Sequence, residues 1–136
     1  MYQKLVSYKL YTFYEKYGLL PAAQFAYMKG QGCTDSKITI SHHLQKSLDA
    51  GMESYIAHLD FSAAFDRVSH SGLLFKLKSS SVGGSVLSIC SEFLSDRMLR
   101  VVVDGAASGW IPIISGVSQG SVLGPLLFIL LYQRTV

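Results

Sequence analysis

The run from Val122 to Tyr132 constrains the fold more than any other part of the sequence. It reads VLGPLLFILLY and contains no charged residue, so we expect it to pack against other apolar surface. Its eleven residues are too few to cross a bilayer, which takes about 20 in a helix. Pro125 is tolerated only in the first turn of a helix. The run therefore predicts a last helix that begins near Pro125, and we predict no membrane segment.

Composition places the chain among globular proteins. The 136 residues are 49% hydrophobic and 15% charged, which excludes a disordered chain. A net charge of +3 is compatible with a polyanionic partner but does not demonstrate one. Cys33 and Cys90 fit neither a metal spacing nor a disulfide framework, and residues 1–5 do not resemble the start of a signal peptide. We therefore expect one domain in a reducing, intracellular setting.

Helical periodicity covers much of the chain. Residues 1–17 predict a helix that ends at Gly18, a second helix opens at Asp35 and stops at Gly51, and a third ends in the Ser- and Gly-rich residues 79–84. The predicted core positions of these three helices are Leu5, Leu10, Phe13 and Tyr14, then Ile40, Leu44 and Leu48, then Leu73, Leu74 and Leu77. A fourth helix carries one buried stripe made of Val86, Ile89, Cys90, Phe93 and Leu94. Cys90 is thus expected in the core rather than as a nucleophile.

Two parts of the sequence predict strands. Residues 53–61 are short and rich in β-branched and aromatic side chains, which favours a buried strand that ends near Asp60. Residues 98–103 and 110–114 predict a hairpin around Asp104 and Gly105. The order helix, loop, helix, strand, helix, helix, hairpin, helix indicates an α+β fold, with helices packed on a small, incomplete antiparallel sheet.

Two segments are candidates for chemistry. Asp60, at the end of a predicted strand, suits a hard cation such as Mg²⁺, although taken by itself it is better explained as an Asp that only caps a turn. The loop before the last helix has Gly116, Gly120 and Gly124 at four-residue spacing, which permits close approach to the backbone or simply begins the helix. His42 and His43 are adjacent and cannot share one helix face, so they do not predict a zinc site.

Several motifs in order resemble the reverse transcriptases of non-LTR, LINE-like retrotransposons, including jockey-type mobile elements. They are the HLDFSAAFDRV segment of residues 58–68 and the SGVSQGSVLGPLLF segment of residues 115–128, supported by residues 15–24, 29–34 and 93–105. The resemblance implies a partial right-hand polymerase fold. Residues 1–52 would be fingers-like, and residues 53–136 would be an incomplete palm.

The resemblance also implies a site for template-directed nucleotidyl transfer with two metal ions, Mg²⁺ or Mn²⁺. Asp60 would be the catalytic metal ligand, with the Phe61 carbonyl as a further ligand. The implied nucleotide-binding residues are Phe61, Ala63, Ala64, Phe65, Gln119, Gly120 and Lys29. Phe65 would exclude a ribose 2′-hydroxyl, while Arg97 and Arg100 would contact nucleic-acid backbone. The implied partners are an RNA template, a DNA primer, deoxynucleoside triphosphates, and palm and thumb segments that this sequence lacks.

The sequence also departs from the family pattern. Residues after Leu131 do not continue as the family does, and no Asp-Asp box follows. In the fingers, Tyr27 and Met28 stand where the family usually has Phe and Arg, and Ser118 stands where it usually has Pro. One aspartate cannot fix two divalent ions, so we expect this chain to be inactive by itself. Without the strands on which they would pack, residues 122–132 are expected to leave an exposed patch that is prone to aggregation.

Other interpretations stay open at this point. Lysines and tyrosines interleave in the first helix, at Lys4, Tyr8, Lys9, Tyr11, Lys16 and Tyr17. They fit a nucleic-acid-binding module without chemistry, and equally a solvated helix face. The chain could also be a structural remnant of a mobile element with no ligand. Hydrolase chemistry at Ser62 or Ser69 beside His58 or His70 is disfavoured, because no nucleophile elbow surrounds either serine. The family implies nuclear action, but no nuclear targeting run is present.

Overall fold

The structure is a computed structural model that describes residues 2–133. These residues form five helices and four short strands, and the α+β class is confirmed. The elements are α1 (Tyr2–Lys16), α2 (Cys33–Asp49), α3 (His70–Ser79), α4 (Gly84–Leu94), β1 (Met98–Leu99), β2 (Val102–Val103), β3 (Ala106–Ala107), β4 (Ile111–Pro112) and α5 (Gly124–Tyr132). The chain divides into two compact units. The larger unit contains the residues up to Leu19 and those from Ala63 onwards, and the smaller is Leu20–Ser62.

Three helices end in a left-handed residue, and all three ends lie where the sequence predicts them. Gly18, Gly51 and Ser81 have φ values of 63°, 68° and 63°. In each case the next amide donates to the carbonyl five residues back, as in Leu19 to Tyr14 and Val82 to Leu77, both at 2.9 Å. This is the Schellman arrangement, which satisfies carbonyls left open at a helix C-terminus.

Helix α2 begins two residues before the predicted start. Gly32 precedes its first turn, and the Asp35 carboxylate accepts a hydrogen bond from the Gly32 amide at 2.7 Å. The prediction that α2 opens at Asp35 is therefore wrong, and Gly32 is the N-cap. The Asp35 side chain acts from the third helical position. There a carboxylate accepts from a free amide and is stabilised by the positive end of the helix dipole.

The core of the larger unit lies among its helices. Helix α3 packs on α4 and α5, and α1 packs on α4. Cys90 is fully buried, which confirms its predicted place in the core. In α1 the buried stripe is Val6, Leu10 and Tyr14, whereas Leu5 is 52% exposed. Residues four apart share a helix face, so placing Leu5 with Leu10 was wrong and Val6 takes its position.

Helix α5 is the most completely buried helix of this unit. Its buried side chains are Leu126, Leu127, Ile129 and Leu130, with Leu123 just before them. The expectation that residues 122–132 form an exposed patch is wrong for most of the run, because α3 covers α5. Only the two ends, Val122 and Tyr132, are exposed.

The hairpin is present but interrupted. Asp104 and Gly105 both have positive φ, at 48° and 81°, as a type I′ turn requires, and β2 pairs with β3 across this turn. The register of β1 with β4 is shifted by one residue relative to that of β2 with β3. Two residues, 100–101, therefore lie opposite three residues, 108–110. This extra residue is a β-bulge, and it divides the predicted strand of residues 98–103 into β1 and β2. The returning strand starts earlier than predicted, because β3 lies before residues 110–114. All four strands are exposed, so the helices pack on one another rather than on the sheet as expected.

Residues 53–61 do not form the predicted strand. They have no regular secondary structure, and every one of them is exposed. Side-chain preference favours an extended backbone there, but a strand also needs a neighbour for its amides and carbonyls. Within residues 2–133 the ladders involve only β1 to β4 and one isolated bridge.

The smaller unit is built around α2, which buries none of its side chains. Ile38, Ile40 and Leu48 are exposed, and Leu44 is half-buried. The predicted apolar face of this helix is present but uncovered. In the part of the chain described, no helix is both long and apolar enough to cross a membrane.

Candidate functional site

Shortly after Asp60, residues 62–67 fold into tight turns. From Ala63 onwards these residues belong to the larger unit. The amides of Asp66 and Arg67 both donate to the Ala63 carbonyl, at 3.1 and 3.2 Å. Ala63 has φ 53°, a left-handed conformation that is uncommon for a residue with a Cβ. The predicted nucleotide-binding residues Ala63, Ala64 and Phe65 thus lie in one compact turn.

The loop of residues 115–120 is joined to this turn through the backbone. The Gly116 amide donates to the Val68 carbonyl at 2.8 Å, and the Val117 amide donates to the Phe65 carbonyl at 3.0 Å. The Ser115 hydroxyl donates to the Asp66 carbonyl at 2.9 Å. Two motifs about fifty residues apart in sequence are therefore in direct contact.

Gly116 is required at this junction for two reasons. Its φ is +89°, and a Cβ built on it would lie 2.9 Å from both the Cα and the carbonyl oxygen of Asp66. Backbone atoms cannot move aside as a side chain would. This glycine therefore sets how closely the loop and the turn approach each other.

A second close contact connects the loop to α5. The Ser121 hydroxyl accepts from the Gly124 amide at 3.0 Å and donates to the Ser118 carbonyl at 2.7 Å. A Cβ on Gly124 would stand 2.6 Å from that hydroxyl and 2.7 Å from the Ser118 carbonyl. Two of the three spaced glycines thus serve close packing. Gly120 differs, since its φ is +80° but a Cβ added there would meet no atom within 4 Å.

Phe65 is held by an aromatic contact. Its ring stacks on Phe128 of α5, with centroids 4.6 Å apart and planes inclined by 17°. Phe128 in turn contacts Tyr132 at 4.9 Å. Phe65 is half-buried, so one part of its ring is fixed and another faces solvent.

The other predicted site residues are more exposed. Gln119 and Gly120 lie at the tip of the loop, where both are exposed. Asp60, Phe61 and Lys29 are exposed residues of the smaller unit. Asp60 and Phe61 lie at the end of the irregular segment of residues 53–61, and Lys29 lies in a turn before α2. The structure therefore brings together the turn that starts at Ala63 and the 115–120 loop within one unit.

The donor set does not by itself fit a metal ion. Among residues 2–133, no group of three or more His, Cys, Asp or Glu side chains is placed to hold one. Mg²⁺ takes near-octahedral oxygen ligation, usually with one or two carboxylates and substrate phosphates. Asp60 supplies one such carboxylate, which does not suffice for two divalent ions.

The two predicted nucleic-acid contacts have partners within the protein. The Arg97 guanidinium donates to the Ser118 hydroxyl at 2.7 Å and to the Gly116 carbonyl at 3.5 Å. The Arg100 guanidinium lies over the Trp110 ring, 4.7 Å from its centroid. Such a cation–π contact orients the charge without neutralising it.

Sequence reasoning missed the role of two polar residues beside the loop. His70 Nε2 lies 2.7 Å from the Gly116 carbonyl, and the Ser69 hydroxyl accepts from the Gly72 amide at 3.1 Å as the N-cap of α3. The Ser69 cap is visible in the sequence as a serine before an apolar periodic segment. The His70 contact spans 46 residues, and no local pattern indicates it.

Comparison with known proteins gives one consistent family. The family model described as reverse transcriptase (RNA-dependent DNA polymerase) matches residues 1–136. The chain is 34% identical over 126 residues to the RNA-directed DNA polymerase from mobile element jockey of Drosophila melanogaster, which covers 93% of this chain and 14% of that protein. It is 30% identical over 130 residues to the probable RNA-directed DNA polymerase from transposon BS of the same species, covering 94% and 14%.

A more distant relative is the retrovirus-related Pol polyprotein from type-1 retrotransposable element R2 of Popillia japonica. It is 27% identical over 99 residues, covering 73% of this chain and 16% of that protein. The chain spans 14% of the length of its jockey and BS relatives. No solved structure matches it significantly.

Proposed function

Because this chain belongs to the reverse transcriptase (RNA-dependent DNA polymerase) family, we propose that it is a segment of an RNA-directed DNA polymerase of a LINE-like retrotransposon. In this proposal residues 1–52 belong to the fingers and residues 53–136 to the palm of a right-hand polymerase. The observation that carries the proposal is the backbone junction at Gly116. It joins the turn after Asp60 to the loop that contains Gln119, and these are the two segments with the family's motifs.

The turn and loop of the larger unit would form one wall of a nucleotide pocket. Gln119 and Gly120, at the tip of the loop, would face the incoming nucleotide and the templating base. The stack on Phe128 restrains the Phe65 ring, so that ring could stand rigidly under the sugar of a deoxynucleotide. A 2′-hydroxyl would then be excluded by sterics, because a restrained ring cannot turn aside.

Asp60 would be one carboxylate of a site for Mg²⁺ or Mn²⁺, next to the Phe61 carbonyl, and Lys29 would be a cation for the triphosphate. These three roles rest on the family motifs. Since the described residues do not fit two ions, we propose that further carboxylates are required and that the 136-residue chain does not polymerise unaided. The RNA template, DNA primer and deoxynucleoside triphosphates are the partners of the complete polymerase.

Primer extension on an RNA template with Mg²⁺ or Mn²⁺ tests this function. The assay compares the 136-residue chain with a chain extended by the palm end of a jockey-type relative, each with Asp60 or with Asp60→Asn. We expect extension only from the longer chain with Asp60. Asp104→Asn is the matched control, because it removes an exposed carboxylate at a hairpin turn where Asn is equally suited. Activity of the Asp60→Asn extended chain would contradict the assignment of Asp60.

A second candidate function is nucleic-acid binding without chemistry. Helix α1 and the residue after it expose Tyr2, Tyr8 and Tyr17, and the Lys16 ammonium lies 5.4 Å from the Tyr17 ring centroid. Aromatic rings beside cations can stack on bases while neutralising phosphates. If no version polymerises but the short chain binds RNA without metal, with an affinity that falls as salt rises, this candidate is supported. If it neither polymerises nor binds RNA, the structural-remnant interpretation takes its place.

A further inference from the structure

The Gly116 carbonyl accepts hydrogen bonds from two side chains, neither of which has a role in the nucleotide pocket proposed above. His70 Nε2 lies 2.7 Å away and Arg97 Nη1 lies 3.5 Å away. A carbonyl oxygen only accepts, so the Nε2 atom of His70 must carry the proton. His70 and Arg97 are both half-buried.

Arg97 holds a second point of the same loop. Its other terminal nitrogen, Nη2, donates to the Ser118 hydroxyl at 2.7 Å. The planar guanidinium therefore spans Gly116 and Ser118 with a fixed distance between its two donors. Its own backbone is tied down as well, because the Ile113 amide donates to the Arg97 carbonyl at 2.8 Å.

His70 is equally well anchored. It is the first residue of α3, directly after the N-cap Ser69. Ser69 also pairs with Ser115 in an isolated antiparallel bridge. The backbone that carries the imidazole is thus held by the helix on one side and by the start of the loop on the other.

These contacts restrain Ser118, the residue directly before Gln119. Ser118 is held through its hydroxyl by Arg97 and through its carbonyl by Ser121. Gly120 has a left-handed φ of +80°. The direction of the Gln119 side chain then depends on the conformation of residues 116–118.

We propose that His70 and Arg97 are positioning residues that fix the backbone of residues 115–118, and that they thereby direct Gln119 and Gly120 toward the incoming nucleotide. The part that concerns the nucleotide rests on the proposed polymerase function. The restraint on the loop rests only on the contacts above.

The first test is amide hydrogen exchange of the 136-residue chain. In His70→Gln, the side-chain amide nitrogen replaces Nε2, so the bond to Gly116 is kept. In His70→Asn, the nitrogen falls short of it. We expect the amides of Gly116 and Val117 to exchange about five- to tenfold faster in His70→Asn and at the wild-type rate in His70→Gln.

The amides of Val82 and Ser95, which bond within the α3 and α4 ends, are internal controls. If these amides accelerate as much as those of the loop, His70 supports only general stability and the proposal fails. Equal exchange in His70→Asn and His70→Gln would also overturn it. Arg97→Lys should behave like His70→Asn, because a single ammonium cannot span Gly116 and Ser118.

The second test uses the extended chain in primer extension. We expect His70→Asn and Arg97→Lys to raise the KM for the deoxynucleotide about tenfold, with His70→Gln close to wild type. His70→Asn should leave the affinity for the template–primer unchanged. If the extended chain is active and its KM for the nucleotide is unchanged in all these variants, the positioning role is contradicted. If the loop amides respond as expected but no chain polymerises, the proposed function fails while the loop restraint stands.

Discussion

Gly116 is the residue on which the contact between the two motifs depends. Its amide bonds to Val68, and a Cβ there would meet the Asp66 backbone at 2.9 Å. Ala at this position must therefore both adopt a positive φ and displace main-chain atoms. Gly120 separates these two effects, because it has a similar φ but open space around it.

We expect Gly120→Ala to lower the free energy of unfolding by about 1 kcal/mol, which is the cost of a positive φ for alanine. Gly116→Ala should lower it by about 2 to 4 kcal/mol, because the steric clash adds to that strain. Urea denaturation followed by circular dichroism measures both. Equal losses in the two variants would show that the close approach to Asp66 contributes nothing to stability.

Cys90 gives a pH dependence with a defined sign. Burial raises the pKa of its thiol from 9.0 to about 11, because the apolar core disfavours the thiolate. The unfolded chain therefore loses the Cys90 proton at lower pH than the folded chain does. Stability from this group is fully present below pH 9 and is lost as the pH rises through about 11, by about 2 to 3 kcal/mol in total.

The measurement is the urea midpoint at several pH values from 8 to 11, for wild type and for Cys90→Ala. The variant should be less stable at pH 8, because it leaves a small cavity, but should lose less stability than wild type toward pH 11. Burial also raises the pKa of the Tyr14 phenol, and the charge of Cys90 adds to that rise, so the difference between the two chains reports Cys90 together with its effect on Tyr14. Parallel curves would contradict the assignment.

At the scale of elements, the helices and the hairpin turn could be predicted from the sequence, whereas the fate of residues 53–61 and the bulge in the hairpin could not. The ends at Gly18 and Gly51 are encoded locally, since a residue that accepts positive φ at the right position is enough to stop a helix. Residues 53–61 have the side chains of a strand but no ladder partner in the described part of the chain. The bulge opposite residues 100–101 likewise depends on pairing across the hairpin, which local preference does not reveal.

The same distinction applies to the candidate site. Its motifs are local, so Asp60, Phe65 and Gln119 could be singled out from the sequence and the family resemblance. The contacts that organise the site are not local. The bond from His70 to Gly116 joins residues 46 apart, and the stack of Phe65 on Phe128 depends on how α5 packs.

At the scale of the whole molecule, the distribution of apolar side chains differs from our expectation. The last helix is buried, whereas residues 53–61 of the smaller unit are exposed. Tyr55 is 90% exposed and Leu59 is 86% exposed, in a stretch of high strand preference without regular secondary structure. Such a segment can pair with another copy of itself, which is a common start of aggregation.

We therefore expect Leu59→Lys to reduce concentration-dependent light scattering while the far-ultraviolet circular dichroism stays the same. A lysine there removes an exposed apolar side chain and adds a charge that opposes strand pairing. Thr12→Lys is the matched control, since it adds the same charge at an exposed position of α1 without removing an apolar group. If Thr12→Lys suppresses scattering equally, net charge alone controls self-association. If only Leu59→Lys suppresses scattering, residues 53–61 are the segment through which the chain self-associates. The chain then stays monomeric only when another surface packs over these residues.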